Sequence, residues 1–351
     1  MEISPRQSQI LSFIRDNSGV QTQDIREQAI KSLSREISRL TIIRDLDVLL
    51  KNDYIKKAGS GRSVTYQITT VGKLLAPVFD YEAYFQKSPE QRTEVTKSFQ
   101  HDIFESIRIL FSKNELTRLD KINENYRTRI PKFSPMALKK EFERLTIELS
   151  WKSSQMEGNT YSLIDTEILL TQEKEAPGHK KEEAIMLLNH KRALEYIHEN
   201  SKIFRKISLR DIEDVHALLV GKLGVTRGLR KSIVGITGTV YRPLDNEFQI
   251  KEAVERMVET VNALEHPLEK ALAFVLLLSY IQPFEDGNKR TARLVGNSIL
   301  MAHNYCPLSY RSVDEAEYKK AILLFYEKNS AWLFRKLFVG QFEFAVKNYF
   351  L

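Results

Sequence analysis

The chain has 351 residues, of which 42% are apolar and 28% are charged, and it contains one cysteine. This composition excludes a disordered, a collagen-like or a disulfide-rich protein. The net charge is +7, because 53 Lys and Arg residues face 46 Asp and Glu residues, and this excess permits an anionic partner without identifying one. We expect a cytoplasmic protein without membrane contact. The first residues lack the pattern of a signal peptide, and the longest apolar run, residues 271–281, is too short to span a bilayer.

Residues 1–72 have the pattern of a winged helix-turn-helix domain: three short amphipathic helices followed by a basic β-hairpin. Asn17-Ser18-Gly19 ends the first helix, Thr22 is the expected N-cap of the second, and Ser38 or Thr41 begins the third. The expected apolar face of the third helix consists of Leu40, Ile43, Leu46, Leu49 and Leu50.

The third helix begins with Ser38-Arg39-Leu40-Thr41-Ile42-Ile43-Arg44-Asp45-Leu46, and this segment resembles the recognition helix of bacterial winged-helix repressors of the DeoR type. Arginines on such a helix reach base edges and phosphates in the major groove, and cations of the wing hold the DNA backbone. The residues predicted to contact DNA are Arg39, Thr41, Arg44, Lys57 and Arg62. Asp45 and Asp47 oppose this interpretation, and many winged helices bind only proteins.

Residues 73–135 are interrupted by prolines and predict a helical connector that packs the two ends of the chain together. At least one amphipathic helix is indicated by Phe104, Ile107, Ile109, Leu110 and Leu116.

Residues 136–351 have an almost wholly helical pattern. Helices are expected around residues 182–198, 209–220, 250–264, 267–281, 289–303 and 316–327. Residues 232–243 are rich in β-branched side chains and contain Gly235 and Gly238, which predicts a small β-hairpin within a helical domain.

The loop between the helices at 267–281 and 289–303 carries the most specific chemistry: Gln282-Pro283-Phe284-Glu285-Asp286-Gly287-Asn288-Lys289-Arg290-Thr291-Ala292-Arg293. Pro283 and Gly287 require a turn, after which the free N–H groups of the next helix point to one place. Cations at a helix N-terminus are unfavourable by ~0.3–1 kcal/mol unless they receive an anion. We therefore predict a polyphosphate site, with Asp286 placed to hold a Mg²⁺ that bridges phosphate oxygens.

This loop resembles the signature of the Fic (Fido) family, H-x-F-x-[DE]-G-N-[GK]-R-x-x-R. The matching residues are Phe284, Asp286, Gly287, Asn288, Lys289, Arg290 and Arg293. Two other segments also resemble the family. Ser153-Ser154-Gln155-Met156-Glu157-Gly158-Asn159 is similar to its inhibitory motif, and residues 237–243 are similar to the flap that aligns the target by strand pairing. The resemblance implies a mainly α protein, with a Fic-type helical bundle and a β-hairpin flap over residues 136–351, preceded by the winged helix.

The resemblance also implies an activity, the transfer of AMP from ATP to a Ser, Thr or Tyr hydroxyl of a target protein. Asp286 would bind Mg²⁺, Arg293 would bind the γ-phosphate, and Glu157 would pair with Arg293 and exclude that phosphate, because one guanidinium cannot be bidentate to both. The residues implied in nucleotide binding are Thr237, Gly238, Thr239, Val240, Gly287, Asn288, Lys289, Arg290, Thr291, Ala292, Arg293, Tyr318 and Tyr326. Helix packing is an equal alternative for the two tyrosines.

Two positions depart from the family pattern. Gln282 replaces the catalytic histidine, and a carboxamide cannot hold a proton near neutral pH, so most of the usual rate, roughly 10²–10⁴-fold, is expected to be lost. Glu285 could substitute as the base only if it turned inward. Lys289 stands where glycine is frequent, as in the Doc branch of the family, which transfers phosphate to its target.

Three functions therefore remain in order of preference: an ATP- and Mg²⁺-dependent adenylyltransferase weakened by Gln282, an inactive nucleotide-binding regulator that binds DNA, and a Doc-like phosphotransferase. The seven histidines show no zinc-ligand spacing, and His216, in an apolar helix, is predicted to be a core histidine. A homodimer is expected from the winged helix, and no target protein is indicated.

Overall fold

The computed structural model describes residues 3–17, 19–34, 36–78, 80–93 and 95–351, except for the side chain of Arg62. Ser18 therefore lies outside the described residues. The described chain is mainly helical, with one two-stranded antiparallel sheet. Its helices and strands are α1 (Pro5–Asp16), α2 (Thr22–Leu33), α3 (Arg39–Lys51), β1 (Ile55–Ala58), β2 (Thr65–Ile68), α4 (Thr70–Leu75), α5 (Tyr81–Gln86), α6 (Ile103–Ser106), α7 (Lys113–Arg129), α8 (Pro135–Gln155), α9 (Leu163–Gln172), α10 (Lys181–Glu199), α11 (Leu209–Leu219), α12 (Glu247–Ala263), α13 (Pro267–Ile281), α14 (Asn288–Ala302), α15 (Glu315–Lys328) and α16 (Trp332–Asn348).

The first three helices and the β1–β2 hairpin enclose a small hydrophobic core of their own. β1 pairs with β2 in a register that places Ile55 opposite Ile68. A further backbone bond, from the N–H of Tyr66 to the carbonyl of Val20 (2.8 Å), joins the hairpin to the segment before α2. In the described region, the order of helices and strands is the one that the sequence predicts.

The faces and ends of these helices differ in detail from the prediction. Ser38 caps α3, with its Oγ accepting from the N–H of Thr41 (3.1 Å). Gln21, rather than Thr22, occupies the N-cap of α2. Leu40 and Ile43 do not face the core, since they are 57% and 36% exposed.

Ile42 takes the buried place on α3 instead, together with Leu46 and Leu49. These three residues are spaced by four and three positions and therefore share one face of a helix. The opposite face of α3 is consequently left with aliphatic side chains in solvent.

The connector is helical in part, as predicted. The residues that indicate at least one amphipathic helix are shared between the short α6, the long α7 and the segment between them, where Ile109 is 50% exposed. Ser112 and Glu115 form a capping box that starts α7 at Lys113, so the chain begins a new helix there. The connector packs on the C-terminal region through an ion pair between Glu115 and Arg335 (2.7 Å).

The C-terminal bundle is organised around α13, whose side chains are buried continuously from Lys270 to Ile281. A helix that is apolar on all sides must be enclosed, and α12, α14 and α15 enclose this one. Gly296 lets α14 approach closely, because a Cβ there would lie 2.7 Å from Cγ2 of Val275. Within the described ranges, no helix has both the length and the apolar character needed to cross a membrane.

The predicted β-hairpin flap is wrong in its secondary structure. Residues 232–243, which we continue to call the flap, contain a turn at Thr237–Gly238 but no paired strands. The two arms do not bond to each other. Instead, Arg242 forms an isolated parallel bridge with Ser98 of the connector. β-Branched residues favour extended backbone, but the sheet partner that defines a strand is absent from this segment.

Candidate active site

The turn between α13 and α14 is built from two left-handed backbone positions. Gln282, the C-cap of α13, has φ +50°, and Gly287, the N-cap of α14, has φ +81°. A non-glycine residue with positive φ is uncommon and marks a constrained turn. At Gly287 a side chain would also meet Cγ1 of Val220 at 3.1 Å. Asn288 closes the turn by exchanging two hydrogen bonds of 2.8 Å with the backbone of Phe284.

His216 of α11 packs against the turn and positions it. Its ring stacks on Phe284 with a centroid distance of 3.7 Å, and its Nε2 lies 2.9 Å from the carbonyl of Asp286. Burial lowers the pKa of His216 to about 4, so at neutral pH the uncharged ring donates Nε2–H to that carbonyl. His216 is thus buried, as the sequence predicts, and it also positions the loop.

Two arginines of the first turns of α14 are almost completely buried beside this loop. The Arg290 side chain is 2% exposed and donates through Nη2 to Oδ2 of Asp286 (2.9 Å). The Arg293 side chain is 0% exposed and donates through Nε to Oγ of Ser153 (2.9 Å). In each guanidinium, Nη1 is buried and has no hydrogen-bond partner of good geometry, while the guanidinium of Arg293 also contacts Tyr318, over whose ring it lies at 5.5 Å. Unsatisfied buried donors of charged groups are costly, so these two atoms mark a place for an anion.

His190 of α10 adds to the polarity of this region. Its ring is completely buried, and neither nitrogen has a partner. Burial, followed by the charges of Arg290 and Arg293, holds the pKa of His190 well below 6.5. Because the His190 ring is neutral, it does not place a third positive charge beside the two arginines.

Glu157, in the turn that follows α8, pairs with Arg293 on the Nη2 side of its guanidinium. Its Oε1 accepts from Nη2 of Arg293 at 2.8 Å, and its Oε2 lies 3.6 Å from Nζ of Lys289. The Glu157 side chain remains 21% exposed, whereas that of Arg293 is fully buried. The carboxylate therefore lies between a buried cation and solvent, where an incoming anion could displace it.

A cavity of about 250 Å³ opens beside this ion pair. It lies between the flap, the turn after α8 and one face of α15, and its walls are partly apolar and partly charged. The lining residues are Met156, Glu157, Ile236, Thr237, Lys289, Glu315, Ala316, Tyr318, Lys319, Ile322, Leu323 and Tyr326. Of the predicted nucleotide-binding residues, Thr237, Lys289, Tyr318 and Tyr326 therefore meet at one cavity. Tyr318 and Tyr326 are also buried in the core, which fits the helix-packing alternative, and their part in nucleotide binding stays a prediction.

The side chain of Gln282 points back into the protein. Its Nε2 donates to the carbonyl of Ser279 (2.7 Å) and to the Oη of Tyr326 (3.2 Å). Glu285 does not turn inward to replace a base, because it is exposed and its Oε2 accepts from the N–H of Thr226 (3.1 Å). Hydrogen bonding from Thr226 lowers the pKa of Glu285.

The remaining predicted site residues have simpler surroundings. Thr291 and Ala292 are buried in α14 beside the arginines, whereas Thr239 and Val240 lie half-buried in the second arm of the flap.

The Asp286 side chain is 64% exposed. A single carboxylate at the rim suits Mg²⁺, which proteins hold through one or two carboxylates together with substrate phosphates. Among the described residues no group of three or more His, Cys, Asp or Glu side chains is placed to hold a metal by itself.

Sequence reasoning missed several residues that shape the site. His190 and Arg230 reach it from distant parts of the chain, and their local sequence gives no signal of this, whereas Ser153, which accepts from Arg293, belongs to the segment that resembles the inhibitory motif. Arg230 is 3% exposed, and its Nε donates to the carbonyl of Gln282 (2.7 Å). The apolar wall of α15, Ile322 and Leu323, lies on the same helix as the predicted tyrosines and could have been inferred from its period.

The residues predicted to bind DNA lie apart from this cavity, on the winged-helix region. Arg39 and Arg44 are exposed on α3, and Lys57 is exposed on β1. Thr41 is half-buried, with its Oγ1 2.9 Å from Oγ of Ser38. The side chain of Arg62 lies outside the described part of the chain.

Comparison with known proteins identifies the domain that carries the loop. Residues 206–300 match the family model described as the Fic/DOC family. A "Protein adenylyltransferase Fic" from Nematostella vectensis is 30% identical over 208 residues, which are 57% of this chain and 48% of that protein. The chain thus spans about half the length of this relative.

Two solved structures have the same fold. A Fic family protein from Desulfovibrio desulfuricans aligns with a TM-score of 0.56 and 22% identity, over 68% of this chain and 74% of that one. Fic-1 from C. elegans aligns with a TM-score of 0.53 and 20% identity, over 70% and 79% of the two chains. The chain therefore has a mainly helical Fic fold and carries a Fic/DOC family domain at residues 206–300.

Proposed function

We propose that this protein is an ATP- and Mg²⁺-dependent adenylyltransferase that transfers AMP to a hydroxyl of a target protein, restrained by Glu157 and slowed by Gln282. The observation that carries the proposal is the pair of buried guanidinium atoms in the first turns of α14, Nη1 of Arg290 and Nη1 of Arg293, that have no hydrogen-bond partner. Arg293 reaches the 250 Å³ cavity through its bond to Glu157, which lines it. The name of the Nematostella relative supports the same activity.

The residues of the turn suit the binding of a triphosphate. The N–H groups at the start of α14 and the two arginines supply donors and positive charge. Asp286 would hold Mg²⁺, which would neutralise charge on the phosphate oxygens. The apolar wall formed by Ile236, Ile322 and Leu323 suits the flat face of a base.

In the transfer itself, a hydroxyl oxygen of the target would bond to the α-phosphorus of ATP, and the bond to the β-phosphate would break to release pyrophosphate. A base would normally take the hydroxyl proton. Gln282 can accept a hydrogen bond but cannot hold that proton, so the proton passes to solvent and the step is slow.

Glu157 would restrain the reaction through its contact with Arg293. A terminal phosphate that binds this guanidinium bidentately would use Nη1 and Nη2, and Glu157 already accepts from Nη2, so the carboxylate and the phosphate compete for Arg293. Lys289 is a second cation for the carboxylate at 3.6 Å. Displacement of Glu157 would leave both cations available to the phosphate.

Labelled ATP with a cell extract as the source of targets tests the proposal. The unsubstituted protein, Glu157→Gly and Glu157→Gly with Gln282→His are each incubated with α-labelled or γ-labelled ATP. We expect α-label on protein, in increasing amounts through the series. Label from γ-labelled ATP alone would instead indicate phosphate transfer, and no label from any form would refute transferase activity.

A second candidate function, DNA binding, is favoured by the arrangement of α3. Arg39 and Arg44 are exposed. Asp45, which counted against DNA, is turned inward, where it bonds to Arg6 (2.5 Å) and to Gln7 (3.0 Å). The outward face is therefore more positive than the sequence of the helix suggests, which suits a phosphate backbone.

Binding of the protein to a pool of randomised DNA duplexes tests this second function. Arg39→Ala with Arg44→Ala should weaken binding about tenfold or more at moderate salt, whereas Lys121→Ala on the exposed face of α7 should not. Equal affinities of the two variants would exclude α3 as the DNA-binding helix.

A further inference from the structure

The backbone of the flap is held by few bonds, since the flap lacks paired strands. In the described part of the chain, three hydrogen bonds join its main-chain atoms to residues outside the flap, besides the side-chain bond from Oη of Tyr241 to the carbonyl of Tyr280 (3.0 Å). They run from Nη1 of Arg230 to the carbonyl of Ser232 (2.8 Å), from Nη1 of Arg92 to the carbonyl of Gly238 (2.8 Å), and from the N–H of Arg242 to the carbonyl of Lys97 (3.0 Å). Two of the three partners lie in residues 92–98 of the connector, which we call the brace; Glu94 within it is outside the described residues.

Arg92 is the residue of the brace that reaches the tip of the flap. Its side chain is 6% exposed, and its guanidinium lies over the ring of Phe85 at 4.8 Å. Nη1 donates both to the carbonyl of Gly238 and to Oε1 of Glu327, each at 2.8 Å. Glu327 is completely buried, so this is a charge-assisted contact shielded from water.

Glu327 fixes the brace at a second point. Its backbone carbonyl accepts from the N–H of Thr96 at 2.7 Å, and its other carboxylate oxygen accepts from the Oη of Tyr84 at 2.6 Å. Glu327 belongs to the last turn of α15. The brace is therefore attached to α15 by one side-chain bond from Arg92 and by one backbone bond.

These contacts connect two of the segments that line the cavity. Ile236 and Thr237 line it from the flap, and Ile322 and Leu323 line it from α15. The turn at Gly238 directly follows the flap residues, and Glu327 lies one helical turn beyond the residues of α15. Arg92, through a single nitrogen, joins the ends of the two segments.

We propose that Arg92 is a positioning residue for the nucleotide site, because it holds the flap at a fixed distance from α15. The brace therefore forms part of the binding site, although it lies outside the segment that matches the Fic/DOC family. The proposal rests on the proposed function in taking the cavity to bind a nucleotide. Loss of the Arg92 bond lets the flap move away, and the fraction of molecules able to bind falls.

The test removes the buried ion pair as a unit, because removing one partner would leave a buried charge that could prevent folding. Arg92→Met with Glu327→Gln deletes the bond to Gly238 while keeping side chains of similar size. All variants carry Glu157→Gly, so that the site is open.

A matched control is the ion pair of Arg335 and Glu115 (2.7 Å), which links α16 to α7 and does not line the cavity. Arg335→Met with Glu115→Gln removes a similar pair elsewhere. Two quantities are measured for every protein: the Kd of Mg-ATP by calorimetry, and the hydrogen-exchange rate of the flap amides by mass spectrometry.

We expect the Arg92–Glu327 double variant to bind Mg-ATP about tenfold more weakly and to exchange its flap amides faster, while the Arg335–Glu115 control stays within about twofold of its parent. Unchanged affinity and unchanged flap exchange in that variant would overturn the proposal. If the Glu157→Gly parent itself binds no Mg-ATP, the proposed function fails. In that case flap exchange alone still decides whether Arg92 holds the flap.

Discussion

Replacement of Glu157 by glycine should increase the affinity for Mg-ATP. In the structure the carboxylate of Glu157 takes one charge-assisted hydrogen bond from Arg293 at 2.8 Å and lies 3.6 Å from the ammonium of Lys289. A nucleotide must break the first contact before its terminal phosphate can bind. Hydrogen bonds to charged groups contribute about 1.5–3 kcal/mol, so the gain is about 10- to 100-fold in Kd.

Calorimetry with Mg-ATP, Mg-ADP and AMP measures this gain. It should be largest for ATP, since the competition concerns the terminal phosphate, and small for AMP. Glu199→Gly, at the exposed end of α10, controls for the flexibility that a glycine introduces at a helix end. The reasoning is refuted if Glu157→Gly leaves the Kd of Mg-ATP unchanged, or if AMP gains as much as ATP.

Three further predictions concern the turn and its support. Gly287→Ala places a Cβ 3.1 Å from Cγ1 of Val220 at a residue whose φ is +81°. It should therefore lower the free energy of unfolding in urea by about 1–3 kcal/mol and weaken Mg-ATP binding. Full retention of stability and of binding would show that the turn tolerates a side chain. Burial lowers the pKa of His216 from 6.5 to about 4 in the folded protein. Between pH 4 and pH 6.5 the folded state therefore binds fewer protons than the unfolded state. The free energy of unfolding should fall by up to about 3 kcal/mol as the pH drops from 6.5 to 4. His216→Gln should flatten this slope, although His190, whose pKa is also lowered, keeps part of it; an equal slope in the variant would contradict the assignment. Gln282→His should raise the transfer rate by roughly 10²–10⁴-fold in the Glu157→Gly background, and a rate that does not change would mean that proton removal does not limit the reaction.

Local patterns were sufficient where a segment carries its own signal. The bounds of α13, Pro267–Ile281, match the prediction, because a mostly apolar segment lies between two prolines. The turn that follows was predictable from Pro283 and Gly287. In contrast, the pairing of Glu157 with Arg293 was expected only from the family resemblance, since the two residues are 136 positions apart.

Features that depend on distant contacts could not be predicted. The flap was expected to pair with itself, but its backbone bonds go to Arg230 and to the brace, and nothing within residues 232–243 encodes those partners. On α3, Leu40 and Ile43 are as apolar as the residues of the core, so their residue type does not reveal that they are exposed. Their exposure follows from where the helix begins and from which face meets α1 and α2.

The central claim is that the turn before α14 binds the phosphates of a nucleotide through Arg290 and Arg293. A crystal structure of the Glu157→Gly variant with Mg-ATP tests it most directly. We predict phosphate oxygens within hydrogen-bond distance of Nη1 of both arginines, atoms that have no hydrogen-bond partner of good geometry in the structure. A nucleotide bound elsewhere, or none bound at millimolar concentration with both guanidinium groups unchanged, would contradict the account.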